Sequence, residues 1–219
     1  MLRSSCQRGQ ATASDGVVDD REIAALSDDQ IATVTALEAR FKLARAAGRF
    51  DEARLSGRAE IEVLRKHGWR LGSSLRDYAG LLADIGRFGE SAEVMVEAAR
   101  ETKPGIGINY DYLFVRIESA DAVLRAGQAA DAETIILETL PLVGNSFRFS
   151  GAAREAPSFI VFAKGLDALA RVRLAQSRQV EAKRLVDSVA WLYSDAAMLP
   201  AGRLPHYLTR IDIALALDD

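Results

Sequence analysis

A short turn sequence that occurs twice is the feature of this chain that most limits its fold. It reads GRFDEA at residues 48–53 and GRFGESA at residues 86–92. Glycine is the usual residue of a left-handed helix C-cap, and an acidic residue in the first turn of a helix interacts favourably with the positive end of the helix dipole. Each copy therefore predicts the end of one helix and the start of the next, and the recurrence predicts a series of helical hairpins.

Two weaker copies of this turn follow, at Gly127 and at Ser177. In all four turns an acidic residue stands four positions after the glycine or serine, and a small residue comes next. These pairs are Glu52-Ala53, Glu90-Ser91, Asp131-Ala132 and Glu181-Ala182. The small residue predicts a close approach of the second helix to the first. In the first two turns an aromatic residue, Phe50 or Phe88, is predicted to plug the turn.

Apolar residues recur at helical spacing along nine segments, and no useful length of chain alternates apolar and polar residues as a half-buried strand does. The clearest segment begins at Phe88, with apolar or small residues at offsets 3, 4, 7, 8 and 11. The five prolines are few in a chain rich in Ala, Leu, Arg and Glu, which are good helix formers. We therefore predict an all-α fold, with a flexible N-terminal segment at residues 1–26 and a helical domain at residues 27–219.

The segment around the second turn resembles a tetratricopeptide repeat. Leu75, the pair Tyr78-Ala79 and Leu82 match the large, large-small and large positions of that family's first helix. The rest of the pattern is matched by Gly86, Phe88, Ser91, Met95, Ala98 and Pro104. Turn-to-turn spacings of 38, 41 and 50 residues exceed the family's standard unit of about 34. They are closer to the extended units of kinesin light chains and of many bacterial helical regulatory regions.

The resemblance implies a right-handed α-solenoid of about four helix-turn-helix units with an extra C-terminal helix. The units correspond to residues 28–68, 71–104, 108–143 and 157–196, and the extra helix to residues 204–217. Proteins of this family usually bind a peptide or a protein segment on the concave side, which the first helix of each unit lines. The resemblance therefore implies a protein-interaction module or scaffold.

Charged side chains outside the apolar packing positions of the first helices are the candidate partner-binding residues. They are Lys42, Arg45, Arg76, Asp121, Arg125, Lys164, Asp167 and Arg171, with Glu38, Asp84 and Phe114 beside them. Arginines such as Arg76 and Arg125 can hold an acidic segment or a C-terminal carboxylate through forked hydrogen bonds. The alternative is a solvated face of mixed charge that binds nothing.

A second candidate is the stretch PLVGNSFRFSGAAREAP, which we predict to be a long connection between the third and fourth units. It places Phe147, Arg148, Phe149 and Arg154 outside clear helical periodicity. Long ordered loops are often functional, and Phe and Arg are enriched at protein interfaces. The alternative is that both phenylalanines cover the seam between two units.

Composition argues against several other classes of function. The net charge of −3 is not that of a general nucleic-acid binder, which carries a basic excess. One cysteine, Cys6, and two histidines, His67 and His206, form no metal-ligand or redox motif. We therefore expect no cofactor, no enzymatic activity and no nucleic-acid partner. Because the sequence contains no long apolar run and no signal-peptide pattern, we expect a cytoplasmic protein without a membrane partner.

The last predicted helix is apolar on more than one side, at Ile211, Ile213, Leu215 and Leu217. We expect it to mediate self-association or to contact another unit. The same feature fits an alternative function, in which the chain is a sensor or autoinhibitory segment of a larger bacterial signalling or effector protein.

Overall fold

The computed structural model describes residues 28–102, 110–150, 157–194 and 200–218, and every regular element within these ranges is an α-helix. The helices are α1 (Asp28–Ala46), α2 (Phe50–Lys66), α3 (Gly72–Asp84), α4 (Phe88–Glu101), α5 (Tyr110–Arg125), α6 (Ala129–Ser150), α7 (Pro157–Ala175), α8 (Gln179–Ser194) and α9 (Pro200–Asp218). The predicted all-α fold is therefore confirmed for this part of the chain. None of these helices is both long and apolar enough to cross a bilayer.

Short turns join the helices into packed pairs. The pairs are α1 with α2, α3 with α4, α5 with α6, and α7 with α8, and each pair also packs against the next one along the chain. The last helix, α9, packs against α8 and α7. A continuous core of buried side chains runs from Phe41 in α1 to Val172 in α7, and two smaller clusters lie between α7, α8 and α9.

The turns have the backbone conformation that the sequence predicts. Gly48, Gly86 and Gly127 have φ angles of +69°, +77° and +83°, and Ser177 adopts +58° without being glycine. At each turn the amide of the next residue donates to a carbonyl five positions earlier, as Arg87 does to Leu82 at 2.8 Å. This is the Schellman arrangement, which satisfies the carbonyls at the end of the preceding helix.

The small residues behind the acidic ones also behave as predicted. Ala53, Ala132 and Ala182 are fully buried, and Ser91 is buried with its hydroxyl donating to the Ala79 carbonyl at 2.8 Å. The aromatic residues do not plug the turns, because Phe50 and Phe88 remain 40% and 41% exposed. They lie instead beside two surface depressions described below.

The predicted connection between the third and fourth pairs is wrong over most of its length. Helix α6 continues through Pro141 to Ser150, so Phe147, Arg148 and Phe149 belong to a helix, whereas Arg154 lies outside the described residues. Proline removes one backbone donor from a helix but does not end it when packing holds both sides. Here Leu140 packs against Gly165 of α7, and Val143 is fully buried.

Helix α9 likewise begins earlier than predicted, at Pro200 rather than at residue 204. Proline suits the first position of a helix, since its amide would have no helical partner there. The second proline, Pro205, accepts a hydrogen bond on its carbonyl from the Thr209 hydroxyl at 2.9 Å.

Candidate partner-binding surface

The first helices of the successive pairs, α1, α3, α5 and α7, are joined by a row of arginine–carboxylate ion pairs. The three pairs are Arg45–Asp84 (Nη2–Oδ2, 2.7 Å), Arg76–Glu118 (Nε–Oε2, 2.6 Å) and Arg171–Asp121 (Nη2–Oδ2, 2.7 Å). We call this set the ion-pair row. The structure therefore brings several predicted partner-binding residues together, but it pairs three of their arginines with carboxylates of neighbouring first helices.

The pairs of this row differ in burial. The side chains of Arg45 and Asp84 are 33% and 45% exposed, and such exposed pairs typically contribute about 0–1 kcal/mol to stability. The Arg171–Asp121 pair is less exposed, at 28% and 27%. Burial alone would lower the pKa of Arg171. The charge and hydrogen bonds of Asp121, with the other nearby groups, outweigh this effect, so the guanidinium pKa lies above its ordinary value. The two ends of the row thus differ in how easily water or a partner reaches them.

A glycine in the middle of α3 makes room for the first ion pair. An added Cβ on Gly80 would lie 3.1 Å from Nη2 and 3.3 Å from Nη1 of Arg45. The guanidinium crosses α3 at this point, and its Nη1 also donates to the Asp77 carbonyl at 3.3 Å. Gly80 therefore positions Arg45, a role that its place in the sequence does not reveal.

A depression of about 290 Å³ lies between α3, α4 and α5, and we call it the central depression. Its apolar lining includes Phe88, Met95 and Ala83, and its charged lining includes Arg76 and Arg125. The carboxylates of Glu118, Asp121 and Asp77 complete the wall. The depression thus combines an apolar floor with a rim that carries both signs of charge.

A second depression, of about 530 Å³, adjoins the first across Arg45 and Asp77. It is lined by α1, α3 and the first residue of α2, with Phe41 and Phe50 on its apolar side and Lys42 on its charged side. We call the two depressions together the first-helix groove. The two phenylalanines of the repeated turn, Phe50 and Phe88, each line one half of it.

Arg125 is the basic residue of the groove whose charge is left for a partner. It is exposed in the last turn of α5, and within the described residues it makes no ion pair or hydrogen bond. Lys42, by contrast, is bonded to Glu38 one turn earlier in α1, which raises the pKa of the lysine. Lys164 lies outside both depressions, with its Nζ 4.8 Å from the ring centroid of Phe114.

Asp167 was predicted to lie on the open surface, and this prediction is wrong. The residue is 3% exposed because α9 covers α7 at this point. His206 of α9 donates from Nδ1 to Asp167 Oδ1 at 2.9 Å, and the Tyr193 ring stacks on the imidazole at 4.0 Å. Burial, together with the nearby Asp167, raises the pKa of Tyr193 far above its ordinary value. Between α7 and α9 the first-helix surface therefore holds a buried polar cluster and no groove is described there.

A second buried carboxyl, that of Glu60 in α2, was not predicted from the sequence. It is 5% exposed and accepts a hydrogen bond from the Ser74 hydroxyl at 2.5 Å. Burial raises the pKa of Glu60, while the bond from Ser74 acts in the opposite direction. No local sequence signal marks this residue, because its partner lies on the next helix.

The described part of the chain contains no group of three or more His, Cys, Asp or Glu side chains arranged to hold a metal ion. The sequence matches no protein-family model and no curated protein.

Proposed function

We propose that this chain is a tetratricopeptide-like solenoid that binds an extended segment of another protein along the first-helix groove. Four helix pairs follow one another with the same turn, as in repeat proteins whose units stack on their neighbours. The observation that carries the proposal is the groove itself, which crosses three successive first helices and is open along its length. An extended peptide suits such a surface better than a compact small molecule does.

The lining of the groove indicates the chemistry of the segment. The central depression has a volume at or just below the lower end of ligand pockets, so it suits one or two apolar side chains rather than a large ligand. In its lining, Arg125, which has no partner among the described residues, offers its guanidinium to a carboxylate. We therefore propose a segment with an apolar anchor and an acidic residue, or a C-terminal carboxylate, close to it.

The exposed ion pairs of the row support the same proposal. Because an exposed pair contributes little net free energy, a carboxylate of the partner can take the place of Glu118 or Asp84 at small cost. The arginines are thereby kept oriented toward the groove before the partner arrives. This preorganisation reduces the entropy lost on binding.

Reversal of the charge at Arg125 tests the proposal. Proteins from the native cell that are retained on the immobilised wild-type chain are identified by mass spectrometry, and their affinities are measured for the variants. Arg125→Glu should weaken the partner about tenfold or more at low salt, because the new carboxylate repels the partner's acidic residue. The difference should shrink as salt increases, since exposed charges are screened.

The matched control is Arg100→Glu, which makes the same change in the last turn of α4. Arg100 is exposed like Arg125, but it does not line the groove. A second variant, Ala83→Trp, fills the central depression from a partly exposed position on α3. If Arg125→Glu and Ala83→Trp both retain the wild-type affinity, the partner binds elsewhere and the proposal is wrong.

A further inference from the structure

Helix α9 occupies the position of a further first helix. It packs against α8 and α7, in the way that α7 packs against α6 and α5. The polar contact between neighbouring first helices also continues, because His206 of α9 bonds to Asp167 of α7 as Arg171 of α7 bonds to Asp121 of α5. The outer face of α9 is therefore equivalent to the face that a second helix covers in each pair.

The residues of this outer face repeat the spacing of α3. Leu204, Tyr207, Leu208 and Ile211 follow one another at the intervals of Leu75, Tyr78, Ala79 and Leu82. The four residues of α3 are at most 5% exposed in its pair with α4. Their counterparts in α9 are between 42% and 57% exposed, and no described element covers them. The face has the pattern of a pairing surface without its pair.

One position distinguishes the α9 face from the covered faces of α3, α5 and α7, although α1 also has a large residue, Phe41, there. Where α9 has Leu208, the helices α3, α5 and α7 have Ala79, Ala120 and Ala170, all fully buried. An alanine there lets the second helix approach closely, whereas a leucine holds the helices further apart. A covering helix that presents large side chains to Leu208 therefore lies further from α9, as in a coiled-coil pair.

We propose that the helix that covers α9 is the α9 of a second copy of this chain, running in the opposite direction. The exposed stripe Leu204, Leu208, Ile211 and Leu215 is spaced by four, three and four residues, so it reads the same in both directions. A two-fold axis between residues 209 and 210 places Leu208 opposite Ile211 and Leu204 opposite Leu215 of the other copy. An isologous contact of this kind closes after two copies.

The size and charge of the face agree with such a pair. The stripe carries no charged residue, so its burial costs no ionic desolvation. With Tyr207 and Leu217 it exposes six large apolar side chains, each 42–63% exposed. Together they expose on the order of 600 Å² per copy, or about 1,200 Å² in a pair, which is the lower end of specific interfaces. The dimer should therefore dissociate in the micromolar range.

Sedimentation velocity on the full chain over a wide range of concentration tests the proposal. The wild type should pass from monomer to dimer, and the double variant Leu208→Ser/Ile211→Ser should raise the dissociation constant at least about tenfold. The control Leu43→Ser/Leu55→Ser removes two even more exposed leucines from α1 and α2 and should dimerise like the wild type. Circular dichroism verifies that all three proteins keep the same helix content.

Spin labels test the direction of the pair in a Cys6→Ser background. A label at Arg210 lies close to the proposed axis, so the two labels of a dimer should be separated by little more than the helix-to-helix distance. Labels at Leu217 should be about 20 Å further apart along the helices, because each residue adds about 1.5 Å. A monomer at millimolar concentration, a dimer insensitive to Leu208→Ser/Ile211→Ser, or equal label distances at both positions would overturn the proposal.

Discussion

The first-helix surface is open between α1 and α5 and closed between α7 and α9, although the same kind of contact joins the helices at both ends. In the open half, Arg45–Asp84 and Arg76–Glu118 lie at the surface beside two depressions. In the closed half, Asp167 of α7 and His206 of α9 lie between these two helices with almost no exposure. Burial by one extra helix therefore makes a polar contact part of the core, whereas an exposed contact of the same kind can be exchanged for one with a partner.

The largest expected effect comes from removing the buried imidazole. His206→Ala removes the imidazole that bonds to the buried Asp167 carboxylate and the ring that stacks on Tyr193. We expect a loss of about 3 kcal/mol in the free energy of unfolding, measured by urea denaturation. His67→Ala is the control at a partly exposed histidine and should cost less than about 1 kcal/mol. Equal losses for the two variants would show that the closed end is no more dependent on its polar contact than the surface is.

A smaller effect should separate the two ends of the ion-pair row. Arg171→Met leaves the partly buried Asp121 without its guanidinium and should lower the free energy of unfolding by about 1–2 kcal/mol. Arg45→Met, at the exposed pair with Asp84, should lower it by less than about 1 kcal/mol. Both are measured by urea denaturation in the same buffer. A larger loss for Arg45→Met would mean that the open half of the row is structural and not available to a partner.

The smallest effect concerns the buried carboxyl of Glu60, whose hydrogen-bond donor among the described residues is the Ser74 hydroxyl. Because burial raises the pKa of Glu60 in the folded state, the unfolded state loses its proton first as the pH rises. The contribution of Glu60 to stability is therefore present below its ordinary pKa and is lost as the pH rises through the higher, folded value. Glu60→Gln should remove this loss and flatten the stability profile above the ordinary pKa of a glutamate, about 4.3.

Denaturation of Glu60→Gln and wild type at several pH values measures this difference directly. The exposed residue Glu62 of the same helix provides the control, since Glu62→Gln should leave the slope unchanged. A slope that is steeper in Glu60→Gln than in the wild type would contradict the direction of the shift.

Local signals in the sequence account for the helices and the turns. The turn glycines were predicted because positive φ angles favour glycine, and the buried alanines were predicted because close helix packing needs a small side chain. The end of α6 was missed because contacts of Leu140 and Val143, not local propensity, carry the helix past Pro141. Such packing is a property of the folded chain, so it cannot be predicted from the sequence of a single segment.

The candidate site was predicted less well, for a related reason. The choice of charged residues on the first helices was informative, since Arg45, Arg76 and Arg125 do line one depression. The ion pairs of Arg45, Arg76 and Arg171 are formed with partners 39, 42 and 50 residues away. Spacing within one helix does not reveal such partners. The burial of Asp167 depends on α9, which belongs to a different part of the sequence.

The direction of the ion-pair row reverses at α5, and this reversal distinguishes one order of helices from another. In the first two contacts the arginine comes from the earlier helix, whereas in the third the carboxylate of Asp121 does. Helix α5 therefore offers an acid to each of its two neighbours. If α7 packed directly after α3 in the register of α5, Ala168 would stand where Glu118 does, and Arg76 would lose its carboxylate partner. Pairs that are individually weak thus favour the native succession of hairpins over a shuffled one.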